Sequence, residues 1–204
     1  MTPDRLTPVR GKSSLMKPEL VLESIEAAAP RRGWPIIGPK RGAILDEVIE
    51  SHKPSSILEV GTNVGYSAIR MARHLKPGQK LTCVEISEEM ALTARANFEK
   101  AGLQGYIEVI VGDARFVLPT LAGSFDMVFL DAVKVDYLAY LKSVERLLHA
   151  GSVVVADNVK SHSVEVKPYL DYVRRSGAYS SACRDAPSNW GADEGDAVEI
   201  SIRL

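Results

Sequence analysis

Oxygen-bearing side chains follow two apolar runs of the sequence, at positions where strands of a parallel sheet would end. Asp131 comes directly after residues 127–130, and Asp157 and Asn158 come directly after residues 153–156. Carboxylate and amide oxygens without clustered His or Cys favour Mg²⁺ over Zn²⁺. We therefore predict a magnesium site at Asp131, Asp157 and Asn158, with half of the octahedron left for substrate and water. Asp157-Asn158 alone could equally form an Asx turn that caps the next helix.

A glycine turn follows another apolar run and has features of a ligand-binding loop. Residues 57–60 precede Gly61, and the turn closes at Gly65 before a helical pattern begins. This order is half of a nucleotide-binding βαβ unit, but the spacing is not the dinucleotide fingerprint G-x-G-x-x-G. Glu59 in the strand would favour a cationic ligand over a pyrophosphate. We predict S-adenosylmethionine (SAM), which carries an ammonium, a sulfonium and a ribose; a plain packing turn is the alternative.

Two more charged residues lie where predicted strands end. Glu85 comes 20 residues after Gly65, a position from which an acid can hydrogen-bond both hydroxyls of a ribose. A surface acid near a helix N-terminus is the alternative. Lys134 comes three residues after Asp131, where a neighbouring metal and sulfonium would lower its pKa and make it a candidate general base. Without the metal, Lys134 would be a solvated lysine or the partner of a nearby acid.

The pattern of apolar runs predicts the framework that positions these residues. Five apolar runs alternate with helical patterns, at residues 57–60, 81–86, 107–111, 127–130 and 153–156. Such alternation predicts a parallel sheet with helices on both faces. Two further strands, 179–184 and 197–202, follow without an intervening helix and predict an antiparallel hairpin. Ligands of such sheets bind beyond the carboxyl ends of the strands.

Two helices are predicted before the sheet. The first runs from Lys17 to about Ala29, stops at Pro30, and has its apolar face at Leu20, Val21, Ile25 and Ala28. The second follows Pro39 and ends near residue 53. We expect a helix over residues 136–148, followed by Gly151, and another over 164–175. Residues 1–16 are rich in Pro, Thr, Ser, Arg and Lys and predict a mobile tail before a single domain over residues 17–204.

Composition argues against several classes of partner. The 204 residues carry a formal net charge of -1, which argues against a nucleic-acid or membrane surface partner. The apolar runs are too short to span a bilayer. The two cysteines, Cys83 and Cys183, are far apart, so a reduced thiol and a cytoplasmic location are expected.

Several motifs together resemble those of the catechol O-methyltransferase family. The matching stretches are residues 58–61, 65–73, 125–131, Lys134 and residues 156–159. The similarity extends from about Lys17 to Leu204. It implies a Rossmann-like class I methyltransferase fold, an α/β architecture with a seven-stranded, mostly parallel sheet whose last strand is antiparallel. It also implies SAM and Mg²⁺ as cofactors.

The resemblance implies roles for individual residues. Lys134 matches the catalytic lysine of the family, and Asp131, Asp157 and Asn158 match its magnesium ligands. Substrate contacts are implied for Trp34, Val133, Lys134, Asn158 and Trp190. Cofactor contacts are implied for Ile36, Glu59, Gly61, Gly65, Tyr66, Ser67, Glu85, Ile86, Asp113, Ala114, Arg115 and Asp131.

The sequence departs from the mammalian members where they contact the substrate. Ala132-Val133 replaces a His-Trp pair, and residues 160–162 replace an apolar stretch with proline. The family's acid beside the second catechol hydroxyl has no clear counterpart; Trp190 or a neighbour falls there. These changes leave the predicted metal site intact but alter the pocket around the aromatic ring.

The resemblance predicts an enzyme that uses magnesium to transfer a methyl group from SAM to one hydroxyl of a catechol-type small molecule. The same chemistry on a larger phenolic, such as a caffeoyl-type ester, is the first alternative. A non-catalytic SAM-binding module is the second, although such a module would need neither Lys134 nor the oxygen ligands. A monomer or a weak homodimer is expected.

Overall fold

The computed structural model describes residues 15–189 and 195–204. Its α-helices are α1 (Pro18–Arg32), α2 (Gly38–His52), α3 (Tyr66–Ala72), α4 (Glu88–Lys100), α5 (Ala114–Val117), α6 (Tyr137–Val144) and α7 (Lys167–Arg175). Its strands are β1 (Ser56–Val60), β2 (Lys80–Glu85), β3 (Ile107–Val111), β4 (Phe125–Leu130), β5 (Leu148–Ala156), β6 (Tyr179–Ala186) and β7 (Asp196–Arg203).

The seven strands of the described residues form one sheet in the order β3-β2-β1-β4-β5-β7-β6. The first five strands are parallel, whereas β7 runs antiparallel to both β5 and β6. The reversed β7 is the last strand of the chain, so the predicted fold class is confirmed. The order reverses at β1, which places a topological switch point, the usual ligand position, between β1 and β4.

Helices cover both faces of the sheet, because alternate residues of each strand point to opposite sides. Ile57 and Phe129 face the core formed with α1–α4. Leu58 and Val128 face the second core, which α5–α7 cover. These strand residues are fully buried, so the near-continuous apolar runs are explained by burial on two faces.

The strand register brings three predicted site residues to one level. Val60 pairs with Leu130, and Leu130 pairs with Ala156. The next residues along these strands are Gly61, Asp131 and Asp157, and they therefore lie side by side at the carboxyl edge. Backbone hydrogen bonds continue across this edge, from the Asp131 N–H to the Val60 carbonyl (2.9 Å) and from the Asp157 N–H to the Leu130 carbonyl (3.0 Å).

The first helix differs from its prediction at both its end and its buried face. Pro30 lies inside α1, which continues to Arg32 and ends at Gly33 in the left-handed conformation. A proline near the last turn removes only one backbone hydrogen bond, so the helix tolerates it at an exposed position. The buried face is formed by Val21, Leu22, Ile25 and Ala29 rather than by Leu20 and Ala28.

Three later boundaries also differ from prediction. The helix expected over residues 136–148 ends at Val144 and is followed by a short 3-10 segment. Strand β5 then begins at Leu148, so Gly151 lies inside the strand and not after a helix. The helix expected from Val164 begins only at Lys167.

Most of the expected tail, residues 1–14, lies outside the described residues. Its last two residues are described, and the Met16 N–H donates to the Lys100 carbonyl at the end of α4 (2.8 Å). None of the helices in the described ranges combines the length and hydrophobicity needed to cross a membrane.

Candidate active site

A cavity of about 1080 Å³ opens at the carboxyl edge of the sheet, beside the switch point. Its volume suits a cofactor together with a small substrate. The predicted site residues that line it are Trp34, Ile36, Gly61, Tyr66, Ser67, Glu85, Ile86, Asp113, Ala114, Arg115, Asp131, Val133, Lys134, Asp157 and Asn158. We name the side lined by Gly61, Thr62, Ser67 and Glu85 the β1–β2 half. We name the side lined by Asp131, Lys134, Asp157 and Asn158 the β4–β5 half.

Three predicted site residues are not among the lining residues. Trp190 lies outside the described residues. Gly65 forms the N-cap of α3, behind the cavity wall. Glu59 is fully buried beneath the wall, where its carboxylate accepts hydrogen bonds from the hydroxyls of Thr62 (2.9 Å) and Ser67. Burial raises the pKa of Glu59 to about 7.

The glycine turn of the β1–β2 half has a conformation that requires glycine at both ends. Gly61 has φ +93°, and a Cβ atom there would lie 2.4 Å from the backbone oxygen of Asp131. Gly65 has φ +86°, and its Cβ would lie 2.4 Å from Cε1 of Phe98. Both positive φ values favour glycine. The close approach of Gly61 to Asp131 also makes this glycine the point at which the two halves of the cavity meet.

Glu85 holds the glycine turn in place. Its carboxylate accepts hydrogen bonds from the backbone N–H groups of Thr62 (3.0 Å), Asn63 (2.7 Å) and Ser87 (2.9 Å). Asn63 in turn donates its side-chain amide to the Pro35 carbonyl (3.0 Å), which links the turn to the loop that carries Trp34. Glu85, the residue predicted to bind the ribose, therefore also positions the glycine turn.

Asp113 and Arg115 form the opposite rim of the β1–β2 half, at the start of α5. Asp113 caps the helix by accepting from the Arg115 N–H (2.9 Å), and its carboxylate pairs with the Arg115 guanidinium (2.6 Å). These hydrogen bonds lower the pKa of Asp113. A charge pair thus lies beside Ala114, for which the resemblance implies a cofactor contact.

Lys134 in the β4–β5 half forms an ion pair with the predicted ligand beside it. Its Nζ lies 2.7 Å from Oδ1 of Asp131 and 2.8 Å from the hydroxyl of Tyr137. The Tyr137 hydroxyl donates to the Asp157 carbonyl (3.2 Å), and burial raises the pKa of Tyr137 well above its usual value. A neutral phenol and a carboxylate therefore fix Nζ at the cavity edge.

Asp157 has an unusual environment for a carboxylate. Its side chain is 1% exposed, and Nε of Arg41 lies 2.7 Å from its Oδ1. Among the described residues neither carboxylate oxygen has a hydrogen-bond partner, because the Arg41 contact lacks hydrogen-bond geometry. Burial, followed by the nearby charge of Asp131, raises the pKa of Asp157. Such a carboxylate is costly to bury and is suited to a cation that can reach both oxygens.

Asn158 is held by an acid from the last strand of the sheet. Its backbone has φ +60°, a left-handed conformation that few residues other than glycine adopt. Its side-chain nitrogen donates to Oδ2 of Asp196 (2.7 Å). Burial would raise the pKa of Asp196, but hydrogen bonds from Ser161 and Asn158 outweigh it and lower the pKa to about 2. Asp196 is therefore an anion that accepts hydrogen bonds.

The three predicted metal ligands are brought together, but each faces a partner from the chain. Asp131 pairs with Lys134, Asp157 with Arg41, and Asn158 with Asp196. Within residues 15–189 and 195–204, no group of three or more His, Cys, Asp or Glu side chains forms a candidate metal site. The predicted set contains only two such side chains and one amide.

Sequence reasoning missed Arg41 and Asp196. Arg41 lies in the first turns of α2, far from any strand end in the sequence. Asp196 begins β7, whereas the site was predicted at the carboxyl ends of the strands. Because β7 is antiparallel, its first residue lies at the same edge as the last residues of the parallel strands. The hairpin predicted from the sequence was the signal that could have identified Asp196.

The sequence is similar to known O-methyltransferases. A family profile described as O-methyltransferase matches residues 12–176. The chain is 35% identical over 195 residues to catechol O-methyltransferase B of Danio rerio, covering 92% of this chain and 73% of that protein. It is 37% identical over 171 residues to catechol O-methyltransferase of Mus musculus, covering 79% and 63%.

A solved structure has the same fold over nearly the whole chain. The O-methyltransferase from Bacillus cereus, in complex with SAH, superposes with a TM-score of 0.81 at 26% identity and covers 91% of each chain. The fold, the family profile and the relatives agree with the resemblance seen in the motifs. The chain therefore belongs to the O-methyltransferase family.

Proposed function

We propose that this protein transfers a methyl group from SAM to one hydroxyl of a catechol-type substrate in a Mg²⁺-dependent reaction. The substrate hydroxyl loses its proton, and an electron pair of its oxygen forms the new bond to the methyl carbon. The carbon–sulfur bond of SAM breaks, and its electron pair stays on sulfur. The products are a methyl ether, S-adenosylhomocysteine (SAH) and a proton, so charge and atoms balance.

The observation that carries the proposal is the arrangement around Asp157. Both of its oxygens are buried without a hydrogen-bond partner among the described residues, although Nε of Arg41 lies 2.7 Å from Oδ1. Asp131 and Asn158 lie at the same cavity wall. Two carboxylates and an amide are the hard oxygen donors that suit Mg²⁺. The residues present therefore fit this ion. Bound there, Mg²⁺ would lower the pKa of a catechol hydroxyl and orient the two oxygens of the ring.

We propose Lys134 as the residue that takes the proton. Its Nζ is fixed by Asp131 and Tyr137 at the wall of the β4–β5 half. We assign the substrate to this half. Since an amine accepts a proton only in its neutral form, the ion pair with Asp131 must loosen before the transfer. Tyr137 then keeps Nζ in position, because its hydroxyl is anchored to the Asp157 carbonyl.

The β1–β2 half supports the proposed cofactor. Glu59 and Glu85 are buried acids beside the glycine turn, and their bonding partners are hydroxyl and backbone N–H groups rather than cations. A ligand with an ammonium and a sulfonium would offset this negative charge. SAH, the product of methyl transfer, is bound in the structure of the Bacillus cereus relative.

A methyl-transfer assay tests the proposal. Catechol, phenol and a caffeate ester are each incubated with SAM, with Mg²⁺ or with chelator, and methylated product and SAH are measured. We expect product from catechol only with Mg²⁺ and none from phenol, which lacks the second oxygen. Turnover of the ester but not of catechol would favour the larger phenolic substrate. SAM binding without turnover of any phenolic compound would favour a non-catalytic module, and equal turnover in chelator would contradict the magnesium requirement.

A further inference from the structure

The antiparallel direction of β7 places an additional acid at the active-site edge. Asp196 is the first residue of this strand, and the Val159 N–H donates to the Ala197 carbonyl (3.0 Å), which locks the start of β7 beside the segment that follows β5. Asp196 is 6% exposed. Its position follows from strand direction, so Asp196 lies against Asn158 of the β4–β5 half although it comes 38 residues later in the chain.

The carboxylate of Asp196 organises the segment that carries Asn158. It accepts hydrogen bonds from the Asn158 side-chain nitrogen (2.7 Å), the Ser161 hydroxyl (2.6 Å) and the Ser161 N–H (3.0 Å). The N–H groups of Lys160 (3.2 Å) and Ala197 (2.8 Å) also donate to it. These contacts compensate for the left-handed backbone of Asn158.

The side-chain amide of asparagine ends in an oxygen and a nitrogen, and only the oxygen can bind a cation. The Asp196 carboxylate accepts from all five of these donors, so it binds the nitrogen of the Asn158 amide and excludes the reversed orientation. The amide oxygen of Asn158 is then free to bind a cation in the cavity. Asn158 lines this cavity together with Asp131 and Asp157.

We propose that Asp196 is a positioning residue that orients the Asn158 amide oxygen toward the cation of the β4–β5 half. Asp196 acts through Asn158 and does not itself bind the cation. Its Oδ2 also lies 4.0 Å from Nη1 of Arg41, the side chain that pairs with Asp157. This inference rests on the proposed function, because it assigns a role in the same site. Residues that orient ligands in this way commonly affect metal affinity by roughly 10- to 100-fold.

The test measures cation binding directly, with Mn²⁺ as a paramagnetic probe of oxygen ligands. Asp196→Asn preserves shape, but its amide can pair with Asn158 in either orientation. We expect the Mn²⁺ affinity of Asp196→Asn to fall by roughly 10- to 100-fold, while SAH affinity is unchanged. Ser161→Ala is the matched control, because it removes one hydrogen bond to the same carboxylate without touching the amide, and its Mn²⁺ affinity should stay within about threefold of wild type.

A swapped pair separates orientation from general structural support. In the double variant Asp196→Asn/Asn158→Asp the hydrogen bond is reversed, and both arms of the side chain at position 158 are oxygens. We expect this variant to recover most of the Mn²⁺ affinity. A folded swapped pair that remains as weak as Asp196→Asn would overturn the inference, as would wild-type affinity in Asp196→Asn.

Failure of the inference is distinguishable from failure of the proposed function. If the wild-type protein binds neither Mn²⁺ nor Mg²⁺, the metal-dependent function is wrong and the inference fails with it. If the wild type binds Mn²⁺ and Asp196→Asn binds it equally well, the inference alone is wrong. Should the single variant not fold, the swapped pair decides: wild-type Mn²⁺ affinity supports the role, and lost affinity in a folded protein contradicts it.

Discussion

The two halves of the cavity differ in the groups that stabilise their buried acids. In the β1–β2 half, the buried acids Glu59 and Glu85 are stabilised by neutral donors, namely hydroxyls and backbone N–H groups. In the β4–β5 half, Asp131 and Asp157 instead face the cations Lys134 and Arg41. Glu59 and Glu85 therefore have no cationic partner among the described residues, whereas the acids of the second half pair with cations of the chain.

This difference indicates how each half would receive its ligand. A cationic cofactor can enter the β1–β2 half without displacing a side chain, because hydroxyl and amide donors can stay in place. A divalent cation in the β4–β5 half must compete with two side-chain cations already there. We infer that the β1–β2 half binds its ligand independently of metal. We also infer that side chains of the β4–β5 half rearrange when a divalent cation binds there.

The largest expected effect comes from removing the carboxylate of Asp131, which is both a predicted metal ligand and the ion-pair partner of Lys134. Asp131→Ala should abolish Mg²⁺-dependent turnover, because the ion loses a ligand and Lys134 loses its partner, while SAH affinity stays close to wild type. Turnover is measured by product formation and SAH affinity by calorimetry. Asp171→Ala, which removes the same group from the exposed surface of α7, is the control. Full activity of Asp131→Ala would contradict the proposed metal role.

The next effect separates the base from the ion pair. Lys134→Ala should lower kcat by about 10²-fold or more. Lys134→Arg keeps a cation beside Asp131 but cannot give up its proton at neutral pH, so it should lose a similar factor. SAH affinity should not change in either variant. Near-normal kcat in Lys134→Arg would show that the charge matters and that Lys134 is not the base.

The smallest effect concerns the acid of the β1–β2 half. The pKa of Glu59 is about 7 in the folded protein against an ordinary 4.5. The folded state therefore binds more protons between these values, and its stability falls as pH rises through this window. Cofactor-free wild type should lose roughly 2–3 kcal/mol more than Glu59→Gln between pH 5 and pH 8. Urea unfolding at several pH values measures the difference, and parallel curves for the two proteins would contradict it.

The sequence was sufficient for the sheet and for most of the cavity wall, because both depend on local patterns. Buried strands appear as apolar runs, and the register then brings Gly61 and Asp131 together without further information. The helix boundaries were less predictable. Pro30 is tolerated inside α1 because it lies near the end of the helix, and a rule based on the residue type alone stopped the helix too early.

The partners of the predicted ligands could not be read from the sequence in the same way. Arg41 approaches Asp157 from α2, and the chain separation between them gives no local signal. Asp196 approaches Asn158 because β7 runs antiparallel, which is a property of the assembled sheet. Trp190 lies outside the described residues and stays a prediction.

One measurement tests the contrast between the two halves most directly. Catechol is titrated calorimetrically into the complex of the protein with SAH, once with Mg²⁺ and once with chelator, and SAH binding is measured under both conditions. We predict that catechol binds only with Mg²⁺, while SAH affinity is the same in both. Equal catechol affinity in chelator, or SAH binding that requires Mg²⁺, would contradict the account.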